Sequence, residues 1–419
     1  MSHTASTALA VLGGDPVRTR PFPAPPRLGT GERRAVEEVL DSGVLSQFIG
    51  AWCEEFWGGP RVRAMEAAWR ERFGSAHAVA MNSATSALYA ATAALGVGPG
   101  DEVIVSPYTM SASATCALVH GARPVFADIE PETFGLDPDS VRERITPRTK
   151  AIVVVDIFGC PARLDEIMTI AAEHGIRVIE DAAQAPGALY HGREAGTIAD
   201  IGVFSLNYHK TIQCGEGGVA VTDDPDLVER LALARNHGEA VADAMGSAHG
   251  DVLGFNYRLG ELEAAIATVQ LGRLEELTAP RITHAQRLSA AFGGLEGLTP
   301  PAVPDGLRHV YYIHVTRLEP DVLGVSRERF AAALRAEGVP VVGGYVPPLY
   351  RAAPYRRHAA LRGLDPADYR DGICPVVERM HEREVLYHPH VHAGMQDADV
   401  DDIIAAVTKV HAHRHELAG

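Results

Sequence analysis

The amino-acid sequence predicts an α/β fold with a mostly parallel central sheet. From residue 77 onward, apolar strand-like runs alternate with helix-like segments rich in Ala and Leu. The strand-like runs are continuously apolar, which is typical of parallel strands covered by helices on both faces. The chain has 419 residues. Because this length exceeds what one hydrophobic core usually serves, we expect a large domain and a smaller one.

The elements of the large domain are predicted in strand–helix succession. A first helix covers Glu32–Asp41, where apolar residues recur at helical spacing. The predicted strands are His77–Met81, Glu102–Val105, Arg123–Ala127, Ala151–Asp156, Ile176–Asp181, Ala199–Leu206 and Gly218–Thr222, and the helices between them are Ser83–Leu95, Ser111–His120 and Leu164–His174. Ligands of such sheets lie beyond the carboxyl ends of the strands. We therefore expect Asp181 and the Asn82–Thr85 turn at one edge.

A second α/β pattern is predicted after the turn-forming residues Gly297–Asp305. Before it, Leu259–Leu277 is predicted as one long helix that leads out of the large domain. The later elements are strand Tyr311–Leu318, helix Arg327–Glu337, short strand Val341–Val342 and helix Asp399–His413. We divide the chain into an N-terminal arm at residues 1–30, a large domain at 31–280 and a small C-terminal domain at 281–419.

Composition and charge exclude several classes of protein. The formal net charge of −16 argues against a nucleic-acid surface and against binding to anionic membranes. No stretch approaches the roughly 20 apolar residues needed to cross a bilayer, and Met1–Ala8 lacks the pattern of a signal peptide. The five cysteines are widely spaced and form no CxxC pair. A reducing, cytoplasmic compartment is the simplest interpretation.

The segment around Lys210 carries the strongest chemical signal. Ser205 precedes the lysine by five residues, and an apolar strand upstream ends at Asp181, with Gln184 three residues later. A lysine, a strand-end aspartate and a serine are the groups needed to hold pyridoxal 5′-phosphate (PLP). The amine forms the Schiff base, the carboxylate keeps the pyridine nitrogen protonated, and the serine hydroxyl reaches the phosphate.

Each of these residues also has an ordinary structural interpretation. Ser83 or Thr85 can simply cap a helix, although a helix N-terminus after a strand also suits a phosphate. A lone lysine is usually solvated, but Lys210 lies between an apolar segment and the glycine turn Gly215–Gly218. His209 is either an acid–base helper or a packed neighbour, and the sequence favours the neighbour.

The clustered histidines invite a metal hypothesis. His388, His390 and His392 alternate, so an extended chain would project all three to one side. No cysteine or carboxylate completes a zinc set around them. We therefore expect no metal cofactor.

Taken together, the motifs resemble those of the DegT/DnrJ/StrS family of sugar and aminocyclitol aminotransferases. The resemblance covers nearly the whole chain and rests on an ordered set of segments: Ala10–Pro16, Asn82–Leu88, Gly98–Ile104, Glu180–Ala185, the lysine segment, Arg235–Gly238 and Phe255–Leu259. It implies a PLP-dependent transferase of fold type I, working as a homodimer whose active sites lie at the subunit interface.

The resemblance also implies roles at matching positions. Lys210 matches the Schiff-base lysine and proton shuttle, Asp181 the partner of the pyridinium, and Gln184 the ligand of the phenolic oxygen. The phosphate would be held by Ala84, Thr85 and Ser205, and the phosphate of the other subunit's cofactor would be reached by Asn256.

Four positions depart from the family pattern. Met110 stands where an aromatic residue often stacks on the cofactor ring, and a thioether packs on such a ring; Tyr108 is the alternative stacking residue. Ala84 stands at a frequent glycine. Leu206 replaces a common phenylalanine and Asp156 a common histidine, which predicts a different substrate pocket.

The expected activity is the transfer of an amino group from glutamate or glutamine to a keto sugar nucleotide or a keto-cyclitol, in antibiotic or cell-surface sugar biosynthesis. The alternatives are a PLP-dependent sugar dehydratase and a non-catalytic regulator; Lys210 argues against both. Candidate substrate residues are His209, Arg258 and the aromatics of Leu45–Trp57 and Gly343–Tyr355, namely Phe48, Trp52, Tyr345 and Tyr350. The aromatics serve equally well as packing or dimer contacts.

Overall fold

The computed structural model describes residues 8–361 and 365–417. The strands are β1 His77–Met81, β2 Glu102–Val105, β3 Arg123–Phe126, β4 Thr149–Val155, β5 Arg177–Asp181, β6 Leu189–Tyr190, β7 Arg193–Glu194, β8 Ile201–Ser205, β9 Gly218–Thr222, β10 Leu298–Thr299, β11 Leu307–Arg308, β12 His314–Leu318, β13 Val342–Gly343 and β14 Val385–His388. The helices are α1 Thr30–Ser42, α2 Pro60–Phe73, α3 Ala84–Ala94, α4 Ala112–Val119, α5 Pro138–Arg144, α6 Leu164–His174, α7 Pro225–Arg235, α8 Ala242–Met245, α9 Glu261–Gly272, α10 Leu274–Phe292, α11 Pro320–Leu323, α12 Arg327–Ala336, α13 Ala353–Leu361, α14 Pro375–Arg379 and α15 Asp397–Ala412.

A seven-stranded sheet forms the centre of the molecule, in the order β1-β9-β8-β5-β4-β2-β3. Strands β3, β2, β4, β5 and β8 pair in parallel, and β9 runs antiparallel to both of its neighbours. The residues of β2, β5 from Val178 onward, β8 and β9 are buried on both faces, because helices cover the sheet on either side. The prediction of an α/β fold with a mostly parallel sheet is confirmed.

A smaller antiparallel sheet lies later in the chain, in the order β10-β12-β14-β13. Helices α10, α12 and α15 pack against it around one apolar cluster that includes Phe292, Phe330 and Val407. The N-terminal arm is tied to the same region, because buried Arg18 bonds Asp399 at 2.9 Å. The division at residues 30 and 280 stays a prediction; residues 1–7 of the arm and residues 362–364 and 418–419 of the small domain lie outside the described residues, and α10 runs continuously across residue 280.

Two predicted elements differ from the structure. The single helix expected at Leu259–Leu277 is wrong: α9 ends at Gly272 and α10 begins at Leu274, because Arg273 leaves helical geometry (φ −98°, ψ 2°) and its side chain bonds Glu32 at 2.9 Å. Glycine at the end of α9 weakens the helix there. The strand expected from Tyr311 begins only at His314, since Tyr311 has a left-handed φ of 49°.

The histidine trio is not presented on one side of an extended strand. His388 is the last residue of β14 and is buried; His390 stacks on Phe22, and the ring of His392 bonds the Pro23 carbonyl at 3.1 Å. Within residues 8–361 and 365–417, no three His, Cys, Asp or Glu side chains are grouped to hold a metal. The same residues contain no helix long and apolar enough to cross a membrane.

Candidate active site

Asp181 lies at the carboxyl end of β5, where the parallel strands of the large sheet terminate. Its side chain is 4% exposed. The Ser113 hydroxyl donates to Asp181 Oδ2 at 2.7 Å, and the Ala183 N–H donates to Oδ1 at 3.1 Å. Burial raises the pKa of Asp181, while these hydrogen bonds and the charge of Lys210 oppose the rise. A buried carboxylate of this kind is built to face a cation.

Lys210 lies in the loop that follows β8, half-buried and on the same side of the sheet as Asp181. Its Nζ is 4.6 Å from the centroid of the Tyr312 ring. Burial lowers the pKa of Lys210 to about 8, against the opposing charge of Asp181. The neutral, nucleophilic amine is therefore well populated near neutral pH, as imine chemistry requires.

The chain contains only three lysines, so few residues other than Lys210 can supply the amine. Lys150 is exposed on β4. Lys409 bonds the buried carboxylate of Glu337 at 2.9 Å. Lys210 is thus the one lysine of the chain placed beside a buried aspartate at the end of the sheet.

Gln184 is held in a fixed orientation next to Asp181. The Phe158 N–H donates to Gln184 Oε1 at 2.8 Å, and Gln184 Nε2 donates to the Tyr345 hydroxyl at 3.2 Å. The Tyr345 N–H in turn donates to the Tyr108 hydroxyl at 3.1 Å. This chain fixes the amide as a donor toward the cavity, which suits a phenolic oxygen.

The N-terminus of α3 forms the opposite wall. Ser83 caps it by accepting from the Ser86 N–H at 3.0 Å, which leaves the Ala84 and Thr85 N–H groups at the unpaired end of the helix. A Cβ at Gly218 would lie 2.4 Å from the Ala84 nitrogen. Glycine at this position therefore lets β9 approach the helix end, and Gly218 pairs with Ser205 on β8.

These groups line one cavity of about 190 Å³. Its lining comprises Ser83, Ala84, Thr85, Leu88, Thr109, Met110, Ala112, Val155, Asp181, Ala183, Gln184, Ser205, Asn207, His209, Lys210, Glu216, Gly217, Tyr312 and Tyr345. A helix N-terminus, a serine hydroxyl, a buried aspartate and a low-pKa lysine at one cavity fit the phosphate, pyridine nitrogen and aldehyde of PLP.

The cavity thus brings together most residues singled out in the sequence: Ala84, Thr85, Met110, Asp181, Gln184, Ser205, His209, Lys210 and Tyr345. Met110 lines it and Tyr108 does not.

Phe48, Asn256 and Arg258 lie elsewhere in this chain. Phe48 is buried against Gly58 with the Arg235 guanidinium 4.8 Å from its ring, and the exposed Asn256 accepts from Arg258 Nε at 2.8 Å. Tyr350 is buried and donates to Glu378.

Two residues of the site were not found from the sequence. Ser113 bonds Asp181 but lies within the small-residue helix α4, where a serine is inconspicuous. Tyr312 contacts Lys210 from a loop about 100 positions away in the chain. A usable signal was present in the pair Tyr311–Tyr312, two aromatics before a strand and after turn-forming residues.

The fold and this cavity define a PLP-dependent enzyme of the α/β transferase class. The sequence profile of the DegT/DnrJ/EryC1/StrS aminotransferase family matches residues 29–408. The chain is 37% identical to L-glutamine:2-deoxy-scyllo-inosose aminotransferase of Streptomyces kanamyceticus, over 99% of both chains. It is 36% identical to GDP-perosamine synthase of Caulobacter vibrioides, over 92% of this chain and 97% of the relative.

A solved structure agrees with this similarity. The aminotransferase from Psychrobacter cryohalolentis superposes with a TM-score of 0.83 at 30% identity, over 94% of this chain and all of the other. The chain belongs to the DegT/DnrJ/EryC1/StrS aminotransferase family. It is a PLP-dependent aminotransferase, as the sequence predicts, and its relatives act in sugar and aminocyclitol biosynthesis.

Proposed function

We propose that this aminotransferase moves the amino group of L-glutamine to the keto group of a cyclitol, with Lys210 and Asp181 as its catalytic residues. The observation that carries the proposal is the half-buried amine of Lys210, whose pKa is lowered to about 8, in one cavity with Asp181 and Gln184. When bound, PLP supplies an electron sink for the carbanion formed at the donor's α-carbon.

The residues of the chain divide the work among them. The amine of Lys210 would hold the cofactor through its aldehyde, and when free its Nζ would take the proton from the donor α-carbon. Asp181 would keep the pyridine nitrogen protonated, and Gln184 would donate to the phenolic oxygen. Ala84, Thr85 and Ser205 would hold the phosphate, and Met110 would pack on the ring. His209 and Tyr345 border the space that remains for substrate.

Two observations support a cyclitol as acceptor. The similarity to the L-glutamine:2-deoxy-scyllo-inosose aminotransferase extends over 99% of both chains. Within the described residues, the cavity lining contains no arginine, and its basic side chains are those of His209 and Lys210. An uncharged polyol fits such a lining better than a nucleotide diphosphate, whose recognition favours arginine. A keto sugar nucleotide is the second candidate, since GDP-perosamine synthase is 36% identical.

The test uses the two half-reactions of the holoenzyme. We expect L-glutamine to bleach the visible band of the cofactor and to release one keto acid per site. Adding 2-deoxy-scyllo-inosose should then restore the band, whereas a nucleotide-linked 4-keto sugar should not. Restoration by the nucleotide sugar alone would replace the cyclitol proposal by the second candidate.

The matched variants are Lys210→Ala and Lys150→Ala. Borohydride reduction of the resting enzyme should label one lysine, found at position 210 by peptide mass mapping. The label and the half-reaction should be absent in Lys210→Ala and unchanged in Lys150→Ala, because Lys150 is exposed on β4 away from the cavity. A label at Lys150 or Lys409 would overturn the assignment of Lys210.

We propose that the enzyme is a cytoplasmic homodimer with shared active sites. Leu45, Ile49 and Trp52 are exposed at 53%, 50% and 43%, and an apolar surface of this kind favours an interface. Asn256, which lies outside this chain's own cavity, would reach the partner's phosphate. All five cysteines are free, as in a reducing compartment.

Sedimentation equilibrium tests the dimer. The expected mass is about 90 kDa, twice the 44.8 kDa of one chain. Asn256→Ala should weaken PLP binding. A 45 kDa species that binds PLP normally would refute shared sites.

A further inference from the structure

A second cavity lies next to Lys210 and has no role in the site described so far. It shares only His209 and Lys210 with the cofactor cavity and also has a volume of about 190 Å³. Its other walls come from the N-terminal arm, from the loop that carries Lys210, from α10 and from the loop after β14: Pro25, Pro26, Arg27, Tyr208, Thr211, Gln213, Leu277, Arg281, Pro389, His392 and Ala393.

Arg281 is the unusual member of this lining. It is 9% exposed. Its Nη1 donates to the Thr211 hydroxyl at 2.6 Å, whereas its Nε has no hydrogen-bond partner within the described residues. No carboxylate of the described chain forms an ion pair with its guanidinium. A buried charge without a counter-charge is costly, so such a group normally has a partner.

The other buried arginines of the described chain all have one. Arg18 bonds Asp399 at 2.9 Å, Arg235 bonds Glu66 at 2.7 Å, and Arg327 bonds Glu328 at 2.6 Å. Each of the three is as buried as Arg281 or more so. The fold therefore supplies a carboxylate wherever it buries an arginine for structural reasons, and Arg281 is the exception.

The surroundings of Arg281 favour an anion. None of the residues that line the second cavity is an aspartate or a glutamate, whereas Arg27 and Arg281 are cationic. Burial lowers the pKa of Arg281 to about 10, with the nearby phenol of Tyr312 opposing the change. At neutral pH the guanidinium stays charged. It can present two parallel N–H donors, the arrangement that binds a carboxylate most firmly.

We propose that Arg281 binds a carboxylate of the amino donor. The proposal rests on the proposed aminotransferase function, since the donor must reach Lys210 and Lys210 borders both cavities. Tyr312 connects the two groups: its ring is 4.6 Å from Lys210 Nζ, and the charge of Arg281 acts on its phenol. Arg258, the arginine that the sequence suggested for this role, lines neither cavity of its own chain and bonds Asn256, so in a shared site it would lie with Asn256 toward the partner's cavity.

The first test is binding without turnover. Glutarate carries carboxylates but no amine, and glutaramide is its neutral counterpart. Calorimetry on the holoenzyme should detect glutarate and not glutaramide. Arg281→Met should weaken glutarate binding about 10- to 100-fold, the range for a lost hydrogen bond to a charged group. Arg281→Lys should keep part of the affinity. Arg287→Met, which changes a partly exposed arginine of the same helix paired with Asp397 and Asp401, should keep all of it.

The second test separates donor from acceptor. In Arg281→Met the KM for L-glutamine should rise by the same factor as the glutarate Kd, with the KM for the keto acceptor unchanged. A rise in the acceptor KM alone would overturn the proposal and assign Arg281 to an acceptor group. The proposal would also be overturned if Arg281→Met bound glutarate normally but no longer formed the dimer. Arg281 would then pair with a carboxylate of the partner subunit.

The two proposals can fail separately. If wild-type enzyme binds glutarate through Arg281 but transfers no amino group from L-glutamine, the anion site stands and the proposed donor is wrong. If L-glutamine reacts normally in Arg281→Met and Arg281→Lys, the proposed function stands and the inference about Arg281 fails. Circular dichroism of both variants tests for a folding defect. If Arg281→Met is misfolded, the glutarate binding and the KM values of Arg281→Lys decide between these outcomes.

Discussion

Two aspartates occupy neighbouring strand ends of the central sheet in very different surroundings. Asp156 follows β4 and Asp181 ends β5; the Asp156 N–H donates to the Asp181 carbonyl at 3.1 Å. Both side chains are buried, at 0% and 4% exposure. Asp181 accepts from Ser113 and faces Lys210, whereas Asp156 accepts from the Ala162 N–H at 3.1 Å and lies near Glu180.

The charged neighbours decide what each carboxyl group can do. Burial and the negative charge of Glu180 raise the pKa of Asp156 well above its ordinary value, which favours its neutral form. Burial also raises the pKa of Glu180, but its oxygens accept the backbone N–H groups of Gly196, Ile198 and Ala199, and these bonds favour its charged form. Burial also raises the pKa of Asp181, but Ser113 and Lys210 favour its charged form. Two similar sequence positions thus yield one carboxyl group beside an acid and one that lies near Lys210 in the cavity.

The largest expected effect comes from Asp181→Asn. The amide keeps the shape of the side chain but cannot hold a proton on the pyridine nitrogen. We expect the rate of the half-reaction with L-glutamine to fall at least about 100-fold, as when a preorganised electrostatic group is removed from an active site. Single-turnover bleaching of the cofactor band measures this rate.

Asp156→Asn is the matched control, because it makes the same change one strand away. Because the raised pKa of Asp156 favours its neutral form, the half-reaction of Asp156→Asn should stay within about twofold of wild type, which corresponds to well under 1 kcal/mol. Equal losses in both variants would show that the two carboxyl groups do not differ in the way proposed.

The residues at this edge of the sheet could be predicted because each continuous apolar run stops where its strand ends. Asp181, Gln184 and Lys210 follow such strands or sit in the adjoining loop, and the structure brings them to one cavity. Ser113 and Arg281 lie inside helices, where no local pattern marks a side chain that turns toward a distant site. Their function-related contacts depend on tertiary packing alone.

Helices α2 and α7 were not predicted, although the sequence carries a readable signal for both. Helices α2 and α7 each begin with proline, after Gly59 and after Asp224, and the Asp224 side chain caps its helix by accepting from the Asp226 N–H. Proline at the first helical position is a known start signal. By contrast, at the break between α9 and α10 the local sequence offers only Gly272, and the bond between Arg273 and Glu32 of α1 is a contact that local sequence does not reveal.

A smaller effect is expected from Ser113→Ala, which weakens the functional carboxylate without removing it. Loss of a hydrogen bond to a charged group costs about 1.5–3 kcal/mol, so the half-reaction should slow about 10- to 100-fold, at the lower end if water replaces the hydroxyl. The pKa of Asp181 should rise, and the acidic limb of the pH–rate profile should move to higher pH.

Ser111→Ala serves as the comparison for Ser113→Ala, since its side chain makes no capping bond at the start of α4. Its profile should overlay that of wild type. A Ser113→Ala profile with unchanged acidic limb and reduced rate would mean that the hydroxyl positions α4 rather than stabilising the charge of Asp181.

The smallest effect concerns the stability conferred by Asp156. Because its native pKa lies above the ordinary 3.8, the folded protein keeps a proton that the unfolded chain releases. The contribution of Asp156 to stability is therefore fully present below pH 3.8 and declines as pH rises toward the native pKa, by up to about 1.4 kcal/mol per pH unit. Asp156→Asn removes this decline.

The urea midpoints of the wild-type and Asp156→Asn holoenzymes, measured from pH 3.8 upward, should converge or cross as pH rises, because wild type loses stability faster. The control is Asp165→Asn, which changes an exposed aspartate, and its curve should run parallel to that of wild type. Parallel curves for Asp156→Asn as well would mean that Asp156 is charged in the fold, and the contrast with Asp181 would then disappear.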